Sequence, residues 1–369
     1  MPDSDRVAVV GVGLAGFAPI TAGISYKELT FEAAQRAYAD AGVDARQDID
    51  SFVTVAEDFL EGTSIFDEYT PDQMGAAQRP MQTITADGLF GLATGVMLIR
   101  SGIADIVAIE GHSKVSDVLT LDRIIDFAQD PVLNRPLGLH PSYVAGLEMR
   151  RWMTTSGATE KQVAEVVVKN RRNALDNPTA AYPAALSVDQ VLASPPVAEP
   201  LRSAEVAGRA DGAIVLLLAS EKAVKRLGGR AVWVTGVGWS QDAPSLESRS
   251  WSESTYLKLA AERAYALAGI KQPQKKISVA EVNDTYAYKE LQHLEALGLA
   301  GNGLPVNVSG GCLGRGNLFE ANGLAQAAEC VAQLRGEAGK RQVKGASAAL
   351  AASWRGVPSS TGAVAIFEA

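Results

Sequence analysis

Cysteine and histidine are scarce: Cys312, Cys330 and the isolated His112, His140 and His293 are all that 369 residues contain. None of them has the spacing of a metal-ligand cluster, and two cysteines make no disulfide framework, so a structural zinc site and a disulfide-stapled fold are both excluded. Clustered Lys and Arg are missing too. With a formal net charge of -8 and no basic run, neither nucleic acid nor an anionic membrane is expected as a partner, because both call for concentrated positive charge. No apolar stretch reaches the roughly 18 residues a membrane helix needs, and the opening Met-Pro-Asp-Ser-Asp-Arg is no basic-then-apolar leader. A cytoplasmic protein is expected. What is present is an ordinary globular composition, 47% apolar, enough to bury a core of more than one substructure.

The chain repeats itself, and a duplicated unit constrains architecture before any motif does. Residues 7–13 read VAVVGVG and residues 232–238 read VWVTGVG; each is a short β-branched run broken by glycines, the pattern of a buried strand. The helices that follow agree more closely: AAQRAYADAGV at 33–43 and AAERAYALAGI at 260–270, each with a helix-stopping Gly near its end. A strand with acidic residues comes next in both copies, and Asp58 and Asp284 keep the common offset of about 226. Strand–helix–strand order with apolar strands predicts βαβ crossovers and helices over a mostly parallel sheet. Residues 119–205 interrupt the repeat with charged, Pro-containing sequence and a helix expected at Glu160–Leu175. The expected division is therefore 1–118 plus 206–229 as one half, 119–205 as an inserted loop or cap domain, and 230–369 as the second half.

Several strings resemble the thiolase superfamily, and within it the sterol-carrier-protein and archaeal-type thiolase-like proteins. The run Lys169-Asn170-Arg171-Arg172-Asn173-Ala174-Leu175-Asp176-Asn177-Pro178 is similar to that group's K-N-x-x-N-A-x-x-N-P loop-domain segment. Residues 305–316, PVNVSGGCLGRG, resemble its P-x-N-x-x-G-G-x-x-x-G-H-P segment, and QLRGEAG follows at 333–339. The resemblance spans the chain and implies an α/β thiolase fold: duplicated βαβαβ halves in a layered α-β-α-β-α body with an inserted loop domain.

The resemblance also marks departures. Where the family carries a nucleophilic cysteine in C-A-S-G, this chain has Thr85-Ala86-Asp87-Gly88. A helix N-terminus can bring a thiol to ionise near neutrality, but an alcohol is far from it, so Thr85 without a base is no acyl carrier. The His-Asp motif becomes Asn283-Asp284-Thr285-Tyr286, and Gly-His-Pro becomes Gly316-Asn317-Leu318. Asn can donate to an oxyanion but cannot act as a general base. The C-terminal motif reads AASWRGVPSSTGA at 351–363 and has no cysteine. Cys312 has a packed reading and a catalytic one; Cys330 reads as core.

The groups left for chemistry are Asp87, Tyr286 and Tyr288 as acid/base candidates. Asn283 and Asn317, with Ser309, Gly310, Gly311 and Gly316, are expected to line the thioester or oxyanion site. Asp87 has a competing role as a helix cap, Asp284 as a loop anchor, and His112 as a structural histidine. Such a set suits retro-aldol cleavage of a β-hydroxyacyl-CoA, which needs a base and an oxyanion hole but no acyl-enzyme. The resemblance to thiolase-like aldolases of steroid side-chain breakdown implies the same, with a zinc-ribbon/OB-fold accessory subunit. A β-ketoacyl-CoA thiolase or acyltransferase with a non-standard site, and a non-catalytic scaffold subunit, remain alternatives. Coenzyme A is expected as part of the substrate, with no covalently bound cofactor, and a homodimer core is expected.

Overall fold

The structure, a computed structural model, describes residues 6–56, 66–118, 129–243, 245–301, 303–356 and 360–369. Asp58 lies outside the described residues. The first half contributes β1 (Val7–Ala18), α1 (Tyr26–Ala41), β2 (Ser51–Val55), β3 (Met81–Ile84), α2 (Gly88–Arg100) and β4 (Ile106–Ser113). The insertion follows with α3 (Pro141–Ser156) and α4 (Glu160–Asn173), after which β5 (Asp211–Ser220) completes that half. The second half is β6 (Val232–Gln241), α5 (Thr255–Ala268), β7 (Val279–Val282), α6 (Ala287–Ala296), α7 (Gly311–Arg315), α8 (Asn322–Arg335), β8 (Ala348–Arg355) and β9 (Thr361–Glu368).

The repeated glycines have a steric cause. A Cβ on Gly13 would strike the carbonyl oxygen of Ala33, and one on Gly238 would strike that of Ala260. Gly11 and Gly236 stand in the same relation to Ala37 and Ala264. In each half the strand has shed its side chains so that an Ala-rich helix can lie directly on it. Each helix stops at a left-handed glycine, Gly42 at φ 66° and Gly269 at φ 68°, a conformation that costs glycine nothing.

The strands run in the order β3-β2-β4-β5-β1-β6-β9-β8-β7. The halves meet where β1 touches β6, through Ala8–Trp233 and Val9–Val232. Parallel pairing is confined to β3–β2, β2–β4 and β7–β8. The other pairings are antiparallel, which corrects the expectation of a mostly parallel sheet. The reason is connectivity: β5 re-enters after the insertion and runs against β4, while β9 turns back on β8 within a few residues. Helices α1 and α5 cover the outer faces. Between the half-sheets lie α2 and α8, whose Leu92, Val96, Leu324 and Val331 share one core with both halves. The insertion is no separate body, since Val163 and Val167 of α4 pack in the same cluster as Leu257 of α5 and Tyr286.

Candidate active site

The glycine segment is held from below by the insertion. Lys169 donates to Glu290 and to the Val306 carbonyl, Asn173 to the Asn307 carbonyl and Asn177 to the Ser309 carbonyl. Asn170 donates to both Asp284 and Glu290, 2.7 Å each. The K-N-x-x-N-A-x-x-N run is thus a rack for residues 306–309. Gly310, Gly311 and Gly316 all have positive φ, at 102°, 59° and 111°. A Cβ on Gly311 would collide with the Asp284 carboxylate. That carboxylate accepts from the Cys312 and Leu313 N–H groups and caps α7. Burial pushes it up to about 6, helped by the charge of Glu290 and opposed by the N–H groups it accepts from.

Ser309 and the three glycines do not form the thioester cradle expected of them. The Ser309 hydroxyl is committed to Glu281. The N–H groups point inward: Gly310 to the Asn307 carbonyl, Gly311 to Ser309 Oγ, Gly316 to the Cys312 carbonyl. Positive φ has turned the amides into the fold rather than toward a ligand.

Asn317 is different. Its Oδ1 accepts from the Phe319 N–H (3.1 Å) and from Asn322 Nδ2 (2.7 Å). With the oxygen pinned twice, the amide orientation is settled, and among the described residues nothing accepts from its Nδ2. Tyr286 lies beside it: Val206 pairs with Tyr286 and Arg209 with Asn317, so the two are spaced by three residues of one extended stretch, roughly 10 Å. Tyr286 is 7% exposed, its ring 6.3 Å from that of Tyr288 and edge-on to Trp354.

The remaining candidates part company. Tyr288 is wholly buried, and its hydroxyl donates to Glu148 at 2.8 Å; burial and the Glu148 charge push the phenol well above its ordinary range. It is a donor in a network, not a base. Thr85 is exposed at the end of the edge strand β3. Asp87 is 1% exposed and ties two helices together, accepting from the Leu89 N–H of α2 and the Gly323 N–H of α8. Burial pushes it up to about 6, against hydrogen bonds from Ser353, Leu89 and Gly323. This geometry is a cap's, and it displaces the acid/base role considered for Asp87. Asn283 likewise turns inward, to the Trp354 carbonyl and the Thr285 N–H. The Cys312 thiol has no exposure, and burial with the neighbouring Asp284 charge pushes it far up. His112 is buried against Glu110, 2.8 Å away, and stacked on Tyr26.

Sequence reasoning missed the network behind Tyr286. Lys289 donates to Glu148, Gln292 and Tyr256, and Arg249 donates to Glu148 and Ser360. Burial alone would raise the Glu148 carboxyl, but Lys289 and Arg249 hold it below its ordinary value. The only hint was charge in apolar helices, Glu148 in PSYVAGLEMRRW and Lys289 in AYKELQ. Among the described residues no His, Cys, Asp and Glu side chains gather into a metal site, and no helix is long and apolar enough to cross a membrane.

Comparison with known proteins adds three results. Residues 238–369 match the family model described as thiolase C-terminal domain-like. The chain is 31% identical to an acetyl-CoA acetyltransferase of Methanothermobacter thermautotrophicus, covering 98% of this chain and 99% of that one. It is 30% identical to human sterol carrier protein 2 over 94% of this chain and 69% of the relative. Among solved structures, one titled Ltp2-ChsH2(DUF35) aldolase superposes with a TM-score of 0.84 at 23% identity, covering 99% of this chain and 98% of its own, a likeness of fold.

Proposed function

The chain belongs to the thiolase superfamily, among its sterol-carrier-protein-2-thiolase-like members, and on that premise we propose that it is an acyl-CoA enzyme that cleaves a carbon–carbon bond of a β-hydroxyacyl-CoA by a retro-aldol reaction. The observation that carries this reading is the state of the sulfur. Both cysteines are buried with their thiols pushed up, and the nucleophile's place holds the exposed alcohol of Thr85. An acyl-enzyme has no carrier, which weighs against thiolysis.

A retro-aldol step needs none. The β-hydroxyl proton passes to a base, the Cα–Cβ bond breaks, and the β-carbon leaves as a carbonyl. The bond's electron pair forms a thioester enolate, and the α-carbon then takes a proton. Asn317 Nδ2 is the donor we assign to the enolate oxygen, because its partner oxygen is pinned and it is not. Tyr286 is the proton-transfer group we assign, as the accessible member of the tyrosine pair. Coenzyme A enters as part of the substrate.

A second copy of the chain and a small zinc-ribbon/OB-fold subunit are proposed as partners. The partly exposed edge strand β3 suits a sheet continued across a dimer. The named DUF35 component of the solved aldolase, with the resemblance in sequence, supports the accessory subunit.

The test is to offer β-hydroxyacyl-CoA and β-ketoacyl-CoA panels to the chain, with and without that subunit, and follow products by mass spectrometry. Cleavage of hydroxy compounds without added coenzyme A is expected, with Cys312→Ser still active and no acyl adduct on the protein. Cleavage of keto compounds alone, dependent on coenzyme A, overturns the proposal. No turnover of either panel in the assembled complex leaves the scaffold reading.

A further inference from the structure

Arg315 ends α7, two residues before Asn317, and is 2% exposed. Its Nε and Nη2, the two donors along one edge of the guanidinium, have no hydrogen-bond partner among the described residues. Buried donors without acceptors are costly and rare, and such an edge implies a missing acceptor. That same edge is the fork that grips a planar carboxylate through two parallel bonds.

The guanidinium lines a cavity of about 300 Å³ between β1, α8 and the turn at residues 177–179. The other charged groups around it are already matched: Arg341 with Glu329 at 2.9 Å, Arg335 with Asp40 at 2.7 Å, and Glu337 with Arg230. Behind Arg315, Glu281 is occupied by the N–H and hydroxyl of Ser309. The rest of the wall is apolar, formed by Val12, Leu14, Phe17, Ala325, Ala328 and Val331. Neither Asn317 nor Tyr286 lines this space, so it is distinct from the candidate active site.

We propose that this cavity binds an aliphatic carboxylic acid of short to medium chain, its carboxylate on the Nε–Nη2 edge of Arg315 and its tail along the β1 and α8 wall. A volume near 300 Å³ falls at the small end of ligand sites, which fits a compact acid and not a coenzyme. The charge and the apolar wall act together: an inorganic anion lacks the tail, and an alcohol lacks the head.

The test is calorimetric titration of octanoate into the full chain, beside octanol and inorganic phosphate, and it does not depend on any catalytic activity. Octanoate is expected to bind once per chain, with octanol and phosphate each about tenfold weaker or more, the loss expected when a charge-assisted pair or its apolar complement is removed. Arg315→Met should weaken octanoate by a similar factor. Ala332→Phe narrows the cavity from α8 without touching the guanidinium and should do the same; it decides the matter if Arg315→Met fails to fold by circular dichroism. Absence of octanoate binding to the unaltered chain overturns the proposal. So does octanol or phosphate binding as tightly as octanoate, or undiminished octanoate binding in a folded Ala332→Phe protein.

Discussion

Lys289 Nζ lies 2.8 Å from Glu148 Oε1, and neither side chain is exposed, although 141 residues of chain separate them. Two ionised groups buried together offset each other's lost hydration only while both are present. Glu148→Leu should therefore cost about 3–5 kcal/mol of stability, the range for stranding one buried charge. Urea unfolding measures it. Glu148→Leu combined with Lys289→Met should recover much of that loss, and a double variant as unstable as the single would refute the pairing argument.

The carbonyl contacts at Gly13 and Gly238 predict matching behaviour in the two halves. Gly13→Ala and Gly238→Ala should each destabilise by about 1–3 kcal/mol or more, since the added methyl meets helix backbone and not a movable side chain. Thermal unfolding of the two variants checks both the sign and the symmetry. Gly229→Ala, where a Cβ meets nothing within 4 Å, serves as the control and should be near neutral.

Asn317→Asp isolates the donor assigned to the enolate. The substitution keeps an acceptor for Phe319 and Asn322 and removes the Nδ2 donor. It should lower kcat about 100- to 1,000-fold, as loss of an oxyanion-hole donor does, with little change in KM. Equal loss in KM and none in kcat would mean that Asn317 merely binds.

Asp284 makes stability depend on pH. Its carboxyl is raised from 3.8 to about 6 in the folded chain, chiefly by burial and then by Glu290. Between these values the folded state holds more protons than the unfolded one, so this group's contribution declines as pH rises from about 4 to about 6 and is flat beyond. The decline is on the order of 3 kcal/mol at most, from about two pKa units. Asp284→Asn should remove that part of the slope from a series of unfolding curves across the window. An unchanged slope would mean the carboxyl titrates normally.

The two similar halves are legible in the residues alone. Repeated glycines, alanines and left-handed helix stops announce them because the cause is local: a helix lying on a strand leaves room for nothing larger. The glycine segment is likewise recognisable as a functional-looking turn. Its purpose is not. Whether the amides of Gly310, Gly311 and Gly316 face a substrate or the fold depends on φ, and φ there answers to Asp284, Ala174 and Ala210 pressing from other elements.

The sequence by itself determined the duplication, the family likeness and the loss of the nucleophilic cysteine and histidine, since each is a matter of residue identity at a fixed spacing. Only tertiary structure decided which survivors can act. Asp87 and Tyr288 were equal candidates by residue type; folding gave one to a helix N-terminus and the other to Glu148. Asn283 turned inward, while Asn317 kept a donor unspent. Glu148, Arg249 and Lys289 come from three separate stretches, so no periodicity or spacing connects them. Burial and hydrogen-bond partnership are properties of what the chain brings alongside, and they set a side chain's protonation and reach more strongly than its own identity does.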